Sequence, residues 1–298
     1  MPKFERFGTG FKGFCANPLY QMVPVRDVRR LQFFNDGPDC EIYITEPTVA
    51  GLANFVDVLG RQLPTGGTPI VDSFIVPKQT TISFTVNGKT PGVTFLGFRA
   101  GSRPVDSSKG IIISVKGLHE KKVALITLAD RGGHSGKKTL AEISTMFGNV
   151  RTYYFDQCNV GLKATQPKSV TVSKALSTPV VWDIAKGGVG DILEILTAVH
   201  GDILANDIVI LFMWDVASSN DVGVDTLAVC LPNMFKPGSK TILFDDSQDA
   251  YVLAHEVGHA LGLGHNLRTG SLMHRFSTSL SSELEQFEID MVNDDGVL

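Results

Sequence analysis

The sequence predicts an α+β multidomain chain, a β-sandwich followed by an α/β domain, and three observations carry that prediction. The 298 residues are 43% hydrophobic and 19% charged, enough apolar material for two cores rather than one. Up to about residue 117, short apolar runs, some of them alternating, are separated by turn residues. Beyond GLHEKK at 117–122, strand-like runs alternate with helical ones. The expected division is an N-terminal arm over 1–25, a β-sandwich accessory domain over 26–118 and an α/β domain over 119–298.

In the first part the expected strands are RLQFF at 30–34, CEIYIT at 40–45, IVDSFIV at 70–76, TTISFTV at 80–86, VTFLGF at 93–98 and GIIISVK at 110–116. Alternation is plain in ISFTV, and PTGG, NGKTPG and AGSRP supply the turns. VAGLANFVDVLG at 49–60 reads as a short helix, an exception among strands. The run FTVNGKTPGVTFLGFRAG followed by IIISVK resembles bacterial immunoglobulin-like domains, in which a hairpin precedes a closing strand.

In the second part VALITLAD (123–130) is a strand and GKKTLAEISTMFG (136–148) a helix. NVGLKA and SVTVSK are strand candidates, and GDILEILTAVHGDIL (190–204) is one amphipathic helix. DIVILFMWD (207–215) is apolar throughout, as a strand buried on both faces is. TLAVCLP (226–232) and KTILFDDS (240–247) follow as strands, then a helix from about Gln248. SLSSELEQFEIDMVND (279–294) closes the chain as a helix capped by Ser282, with Glu285 in a capping box.

The chemistry concentrates in LAHEVGHALGLGHNLRTGSLMHR at 253–275, which holds four of the seven histidines. His255 and His259, four residues apart, share one helical face one turn above the other, so both imidazoles reach a common point. His265 is too far along a straight helix to join them. Gly262 can end the helix in the left-handed conformation, and Gly264 loosens the next turn, so His265 swings beneath. Three neutral imidazoles suit a tetrahedral zinc ion with one open position, the form of a catalytic rather than a structural site. Glu256 follows the first ligand and projects beside the metal, where it takes the proton of an attacking water.

These residues spell H-E-x-x-H-x-x-G-x-x-H, and the chain over roughly 119–298 resembles the metzincin clan of zinc endopeptidases. The resemblance implies a zincin-like α/β catalytic fold, a Zn²⁺ cofactor and peptide-bond hydrolysis. It also implies a Met-turn at Ser271-Leu272-Met273, with Met273 forming an apolar floor under the metal. The gap from His265 to Met273 matches the matrixin branch. Asn266, just after the third histidine, is not the acidic residue of astacins or reprolysins and argues against those branches. By the same resemblance, TLAVCLP is the edge strand to which an extended protein or peptide substrate adds, and residues 272–281 wall the pocket beyond the scissile bond. Several branches place a tyrosine two residues after the methionine; here that position is Arg275.

Other candidates carry less. ADRGGHSGKKT (129–139) sits where a phosphate loop would, but Arg131 replaces the required glycine and Lys138 the required hydroxyl. His134 within it reads as a loop hydrogen-bonding residue, and His274 as a surface neighbour of Met273. Cysteines 15, 40, 158 and 230 form no CxxC and read as buried thiols, with disulfide pairing left open. Some metzincins are kept latent by a cysteine that reaches the zinc; Cys40, in DGPDCEIY, lacks the residues that surround such a switch.

A net charge of −4 without a basic run argues against nucleic acid as a partner. No stretch of about eighteen apolar residues suggests a membrane span. MPKFERFGTGFKGF has no apolar segment of a conventional signal peptide, and the sequence holds no N-x-S/T sequon. The expectation is a monomer exported by a non-classical route, a secreted enzyme or a delivered bacterial effector, with a secretion-system carrier or an immunity protein as further partners. The alternative is a binding or adhesion protein with a vestigial zinc site. Retention of Glu256 speaks against it, since an inactive relative loses nothing by changing that residue.

Overall fold

A computed structural model describes residues 3–6, 14–16, 19–35, 37–44, 53–57, 73–100, 110–182, 189–217, 227–233, 235–274 and 283–293. The chain divides into two compact units, one of Met1–His119, Asp156–Asn159 and Glu283–Leu298, the other of Glu120–Phe155 and Val160–Ser282.

The first unit is β-rich. Its strands are β1 (Lys3–Arg6), β2 (Phe14–Ala16), β3 (Leu19–Pro24), β4 (Val28–Asn35), β5 (Cys40–Ile44), β6 (Ala53–Asp57), β7 (Ser73–Val76), β8 (Thr80–Gly88), β9 (Gly92–Ala100) and β10 (Gly110–Lys116). One sheet runs β1-β4-β8-β6 and the other β2-β3-β10-β9-β5-β7. Along β4 the period-2 pattern turns Leu31 and Phe33 inward while Val28 and Arg30 face water. Tyr20, Met22, Val86, Ile111 and Ile113 are likewise wholly buried.

Two sequence expectations fall here. The segment expected as an arm supplies β1, β2 and β3, which pair with β4, with each other and with β10. The segment 49–60, expected as a helix, contains β6, paired antiparallel to β8 with Phe55 opposite Val86. Its apolar spacing fits a helix, but β8 offers an open edge, and pairing overrides local preference. The turns expected at 64–67 and 101–104 lie outside the described residues.

The last helix, α5 (Gln286–Asn293), groups with this first unit, as does the end of α1 (Leu140–Cys158). Asp290 accepts a hydrogen bond from the Tyr20 hydroxyl at 3.2 Å and pairs with Lys116 at 2.7 Å. The Asn293 amide donates to the Cys158 carbonyl at 2.7 Å. α5 starts seven residues later than the sequence suggested: the buried Glu288 carboxylate accepts from the Glu285 N–H at 2.7 Å, so the capping box is Glu285 with Glu288. Ser282 lies outside the described residues.

The second unit is α/β. It adds β11 (His119–Asp130), β12 (Val160–Ala164), β13 (Lys168–Val172), β14 (Val180–Val181), α2 (Val189–Ala198), α3 (His200–Ala205), β15 (Ile208–Met213), β16 (Val216–Ala217), β17 (Ala228–Pro232), β18 (Lys240–Asp245) and α4 (Ala250–Ala260). The main sheet runs β12-β11-β15-β18-β17, with β13 also on β11. β11, β15 and β18 are parallel, and β17 returns antiparallel at the edge. All six residues of β15 are buried, as its unbroken apolar run requires. One core joins Leu211, Met213 and Leu243 to Ile192, Ile195 and Leu196 of α2 and Ile203 of α3. The helix expected over 190–204 breaks at Val199 into α2 and α3. α4 packs against β17 and β18, which brings the motif helix to the edge of the sheet. Among the described residues no helix is long and apolar enough to cross a membrane.

Candidate metal centre

The geometry of α4 follows from its two ends. At the start Asp249 is the N-cap, its carboxylate accepting from the Tyr251 and Val252 N–H groups at 2.9 and 3.2 Å. At the finish Gly262, at φ +97°, takes the left-handed conformation. Its N–H reaches the His259 carbonyl, and the Leu263 N–H reaches that of Gly258. These paired bonds are a Schellman closure, and they reverse the chain directly after His259. A second left-handed glycine follows in this segment, Gly270 at φ +93°. It turns the chain toward Met273, whose carbonyl accepts from the Asn266 N–H at 2.9 Å.

The outcome is convergence. The Nε2 atoms of His255, His259 and His265 lie 3.1, 3.1 and 3.2 Å apart. His255 Nδ1 donates to the Leu272 carbonyl and His259 Nδ1 to that of Leu263, each at 2.7 Å. A ring whose Nδ1 carries the proton presents a bare lone pair at Nε2. Such lone pairs facing one another are repulsive, and a cation among them removes the conflict. A tetrahedral zinc ion at about 2.0–2.1 Å from each nitrogen would set them about 3.3–3.4 Å apart, close to the spacing found. The donor set therefore fits zinc. Among the described residues these three histidines form the group able to hold a metal ion.

Electrostatics agree with the ligand chemistry. Burial pushes His255 down to about 4; the Leu272 carbonyl opposes this, and the neighbouring histidines add to it. The ring is thus neutral near pH 7, as a metal ligand must be. Glu256 is 8% exposed, and burial pushes its carboxyl up to about 7 against the pull of the Cys230 backbone N–H. That contact links the carboxyl to β17, the edge strand. Cys230 itself is a free thiol pushed up to about 12, by burial first and then by Glu256.

Met273 is wholly buried and touches α4 at Gly258. His274 is half-buried and close enough to bear on His255. Arg275 and the rest of the expected pocket wall through 281 lie outside the described residues. The 129–139 loop is occupied by its own chain: the Lys137 and Lys138 N–H groups both donate to the Asp246 carboxylate, which leaves no amide cradle for a phosphate. Cys40 and Cys158 are buried, and burial pushes the Cys40 thiol up to about 11. The sequence did not reveal the carbonyls of Leu263 and Leu272 or the amide of Cys230, because main-chain partners leave no residue signature.

Comparison with known proteins bears on the same region. A family model described as metallo-peptidase family M12B, reprolysin-like, matches residues 121–288, more than half of the chain. Matrix metalloproteinase-B of Caenorhabditis elegans is 34% identical over 20% of this chain and 15% of that protein, so the matched stretch is a small part of that relative's length. Among solved structures, domains 4 and 5 of the S-layer protein SbsC are 13% identical over 39% of this chain and 53% of that one, at a TM-score of 0.21, too low to argue a shared fold. The match to a reprolysin-like model corrects the branch inferred from Asn266. That side chain is spent locally, donating to Ser271 Oγ at 2.6 Å and accepting from the Arg268 N–H at 3.0 Å, so it serves the turn and does not mark the branch.

Proposed function

Given that the chain belongs to the reprolysin-like metallopeptidases of family M12B, we propose that it is a zinc endopeptidase in which His255, His259 and His265 hold the ion and Glu256 is the base. The observation that carries this reading is the triangle of Nε2 atoms at 3.1–3.2 Å, with the far nitrogens of His255 and His259 fixed by carbonyls. A zinc ion held there would supply Lewis acidity, polarising a scissile carbonyl and lowering the pKa of water toward neutrality.

The chain's own residues do the rest. Glu256, buried and tethered toward β17, takes the proton of the attacking water and passes it to the leaving amine. Burial works to hold that carboxyl above the ordinary carboxylate range, which strengthens it as a base. β17 presents an antiparallel edge to which an extended peptide adds by main-chain hydrogen bonds. Met273 closes the site from below. The first unit, read as an immunoglobulin-like module, serves targeting, docking or folding. Use as a delivered effector adds a carrier and an immunity protein as partners; this rests on the pairing of a β module with a peptidase.

The test is zinc content by elemental analysis together with cleavage of casein, for wild type and Glu256→Ala. We expect one zinc per chain in both and a loss of about 10³-fold in cleavage rate in the variant, the ordinary worth of a general base. Well-folded protein that takes up no zinc would sink the assignment.

A further inference from the structure

We infer that Tyr154 is a positioning residue of the zinc centre, its hydroxyl fixing the height of α4 over the Met273 turn from a notch that Gly258 leaves open. The inference rests on the reading of the three histidines as zinc ligands.

Tyr154 projects from α1 and is wholly buried. Its hydroxyl donates to the Ala254 carbonyl at 2.7 Å. That carbonyl belongs to the residue before His255 and also accepts the helix bond from Gly258, four residues on. Gly258 lies between His255 and His259 in sequence and carries no side chain. A Cβ there would stand 3.0 Å from the Tyr154 hydroxyl and 3.0 Å from Met273 Cε, and would overlap Met273 Sδ. Phenol, helix backbone and thioether thus meet at one point, and they can do so only because residue 258 is glycine.

That meeting point controls the ligand triangle. His255 is held through Nδ1 to the carbonyl of Leu272, the residue before Met273. His259 is held to Leu263, beyond the helix end. His265 is carried by the loop whose Asn266 N–H bonds the Met273 carbonyl. Two ligands therefore ride on α4, and the third rides on the segment bonded to the Met273 turn. Any shift of α4 against that turn moves His255 and His259 relative to His265. Met273 sets the approach from one side. Tyr154, anchored in a different helix, sets it from another and prevents α4 from rolling about the thioether. Metal–ligand distances tolerate about ±0.2 Å, so a small roll suffices to spoil the triangle.

The experiment uses full-length Tyr154→Phe, Gly258→Ala and the double variant. It reads zinc affinity by competition with a chromophoric chelator, the visible absorption of the Co²⁺-loaded protein, and thermal unfolding. Tyr154→Phe should fold, bind zinc about 10–100-fold more weakly, the usual effect of losing an outer support, and show an altered Co²⁺ spectrum. Gly258→Ala should also weaken zinc even though alanine is the better helix former. The double variant should lose less than the product of the two single effects, because both act at one contact. Unchanged affinity and an unchanged Co²⁺ spectrum in Tyr154→Phe, with only a lower melting temperature, would reduce Tyr154 to a packing role and overturn the inference. Independent effects in the double variant would overturn it as well. A wild-type chain that binds neither metal would instead remove the zinc reading beneath it.

Discussion

The second unit holds two histidine clusters built on opposite plans. In the loop after β11, both ring nitrogens of His134 are occupied by their own surroundings. Nδ1 meets Asp130 Oδ2 at 2.9 Å, Nε2 meets the Thr178 hydroxyl at 3.2 Å, and the ring stacks on Trp214 with centroids 5.3 Å apart. At the end of α4 the Nδ1 atoms of His255 and His259 are equally well held, but by carbonyls, and their Nε2 atoms converge with that of His265. One arrangement closes on itself and the other leaves three Nε2 atoms facing one another, a group able to hold a metal ion. A histidine's role is thus read from what its second nitrogen faces, because the first is fixed in either case.

The sharpest way to break this comparison is to delete one ring from each cluster. His259→Ala should lower zinc affinity by more than about 100-fold, since a direct ligand counts for more than the outer supports whose loss costs 10–100-fold. His134→Ala should leave zinc stoichiometry and affinity at the wild-type value. Equilibrium dialysis against a buffered zinc series measures both. Equal losses in the two variants would mean that the closed cluster supports the metal centre as well.

A second measurement separates the two acidic partners, Glu256 and Asp130. Glu256 is pushed up to about 7 by burial, from an ordinary 4.5. In the zinc-free folded chain its charged form is therefore disfavoured. The resulting loss of stability begins above pH 4.5 and is complete above about 7. Glu256→Gln should then stabilise zinc-free protein at pH 8 by about 3 kcal/mol, and by far less at pH 5. Urea titrations at the two pH values decide the matter, and a gain that is the same at both would exclude ionisation as its source.

How far these clusters were legible beforehand depended on how local their signals are. The spacing of His255, His259 and His265 about Gly262 is a property of one short segment, so the convergence of the three rings and the turn could be read directly. His134 could be read as a loop residue, while its partner Thr178 lies 44 positions away and left no trace in the sequence. Helix α1 runs ten residues beyond the expected Gly148, through Val150, Thr152, Tyr153, Tyr154 and Phe155, residues of modest helix propensity held by packing. That extension is what delivers Tyr154 to α4. The two-residue strands β14 and β16 are too short to carry any periodicity. Elements fixed by their own sequence were visible, and those fixed by a distant partner were not.

The smallest expected effect tests the closed cluster alone. The Asp130 side chain is fully enclosed. Burial alone would push its carboxyl up. The His134 ring, the Leu176 and His134 N–H groups and the charge of His134 together outweigh that and hold it below the ordinary carboxylate value. A depressed acid contributes stability that is present above its unfolded pKa and is lost as pH falls through the folded one. Asp130→Asn keeps the shape but swaps one acceptor oxygen for an amide, which cannot accept from both the ring and the Leu176 N–H at Oδ2. The cost should be about 1–2 kcal/mol at pH 7, the usual penalty for one unsatisfied buried group. It should shrink below about pH 3.9, where the unfolded carboxyl itself takes up a proton. Zinc affinity should not change. Chemical denaturation at pH 7 and pH 3.5, with a parallel zinc titration, checks all three statements. A fall in zinc affinity would tie the loop to the metal centre and erase the distinction drawn between the two clusters.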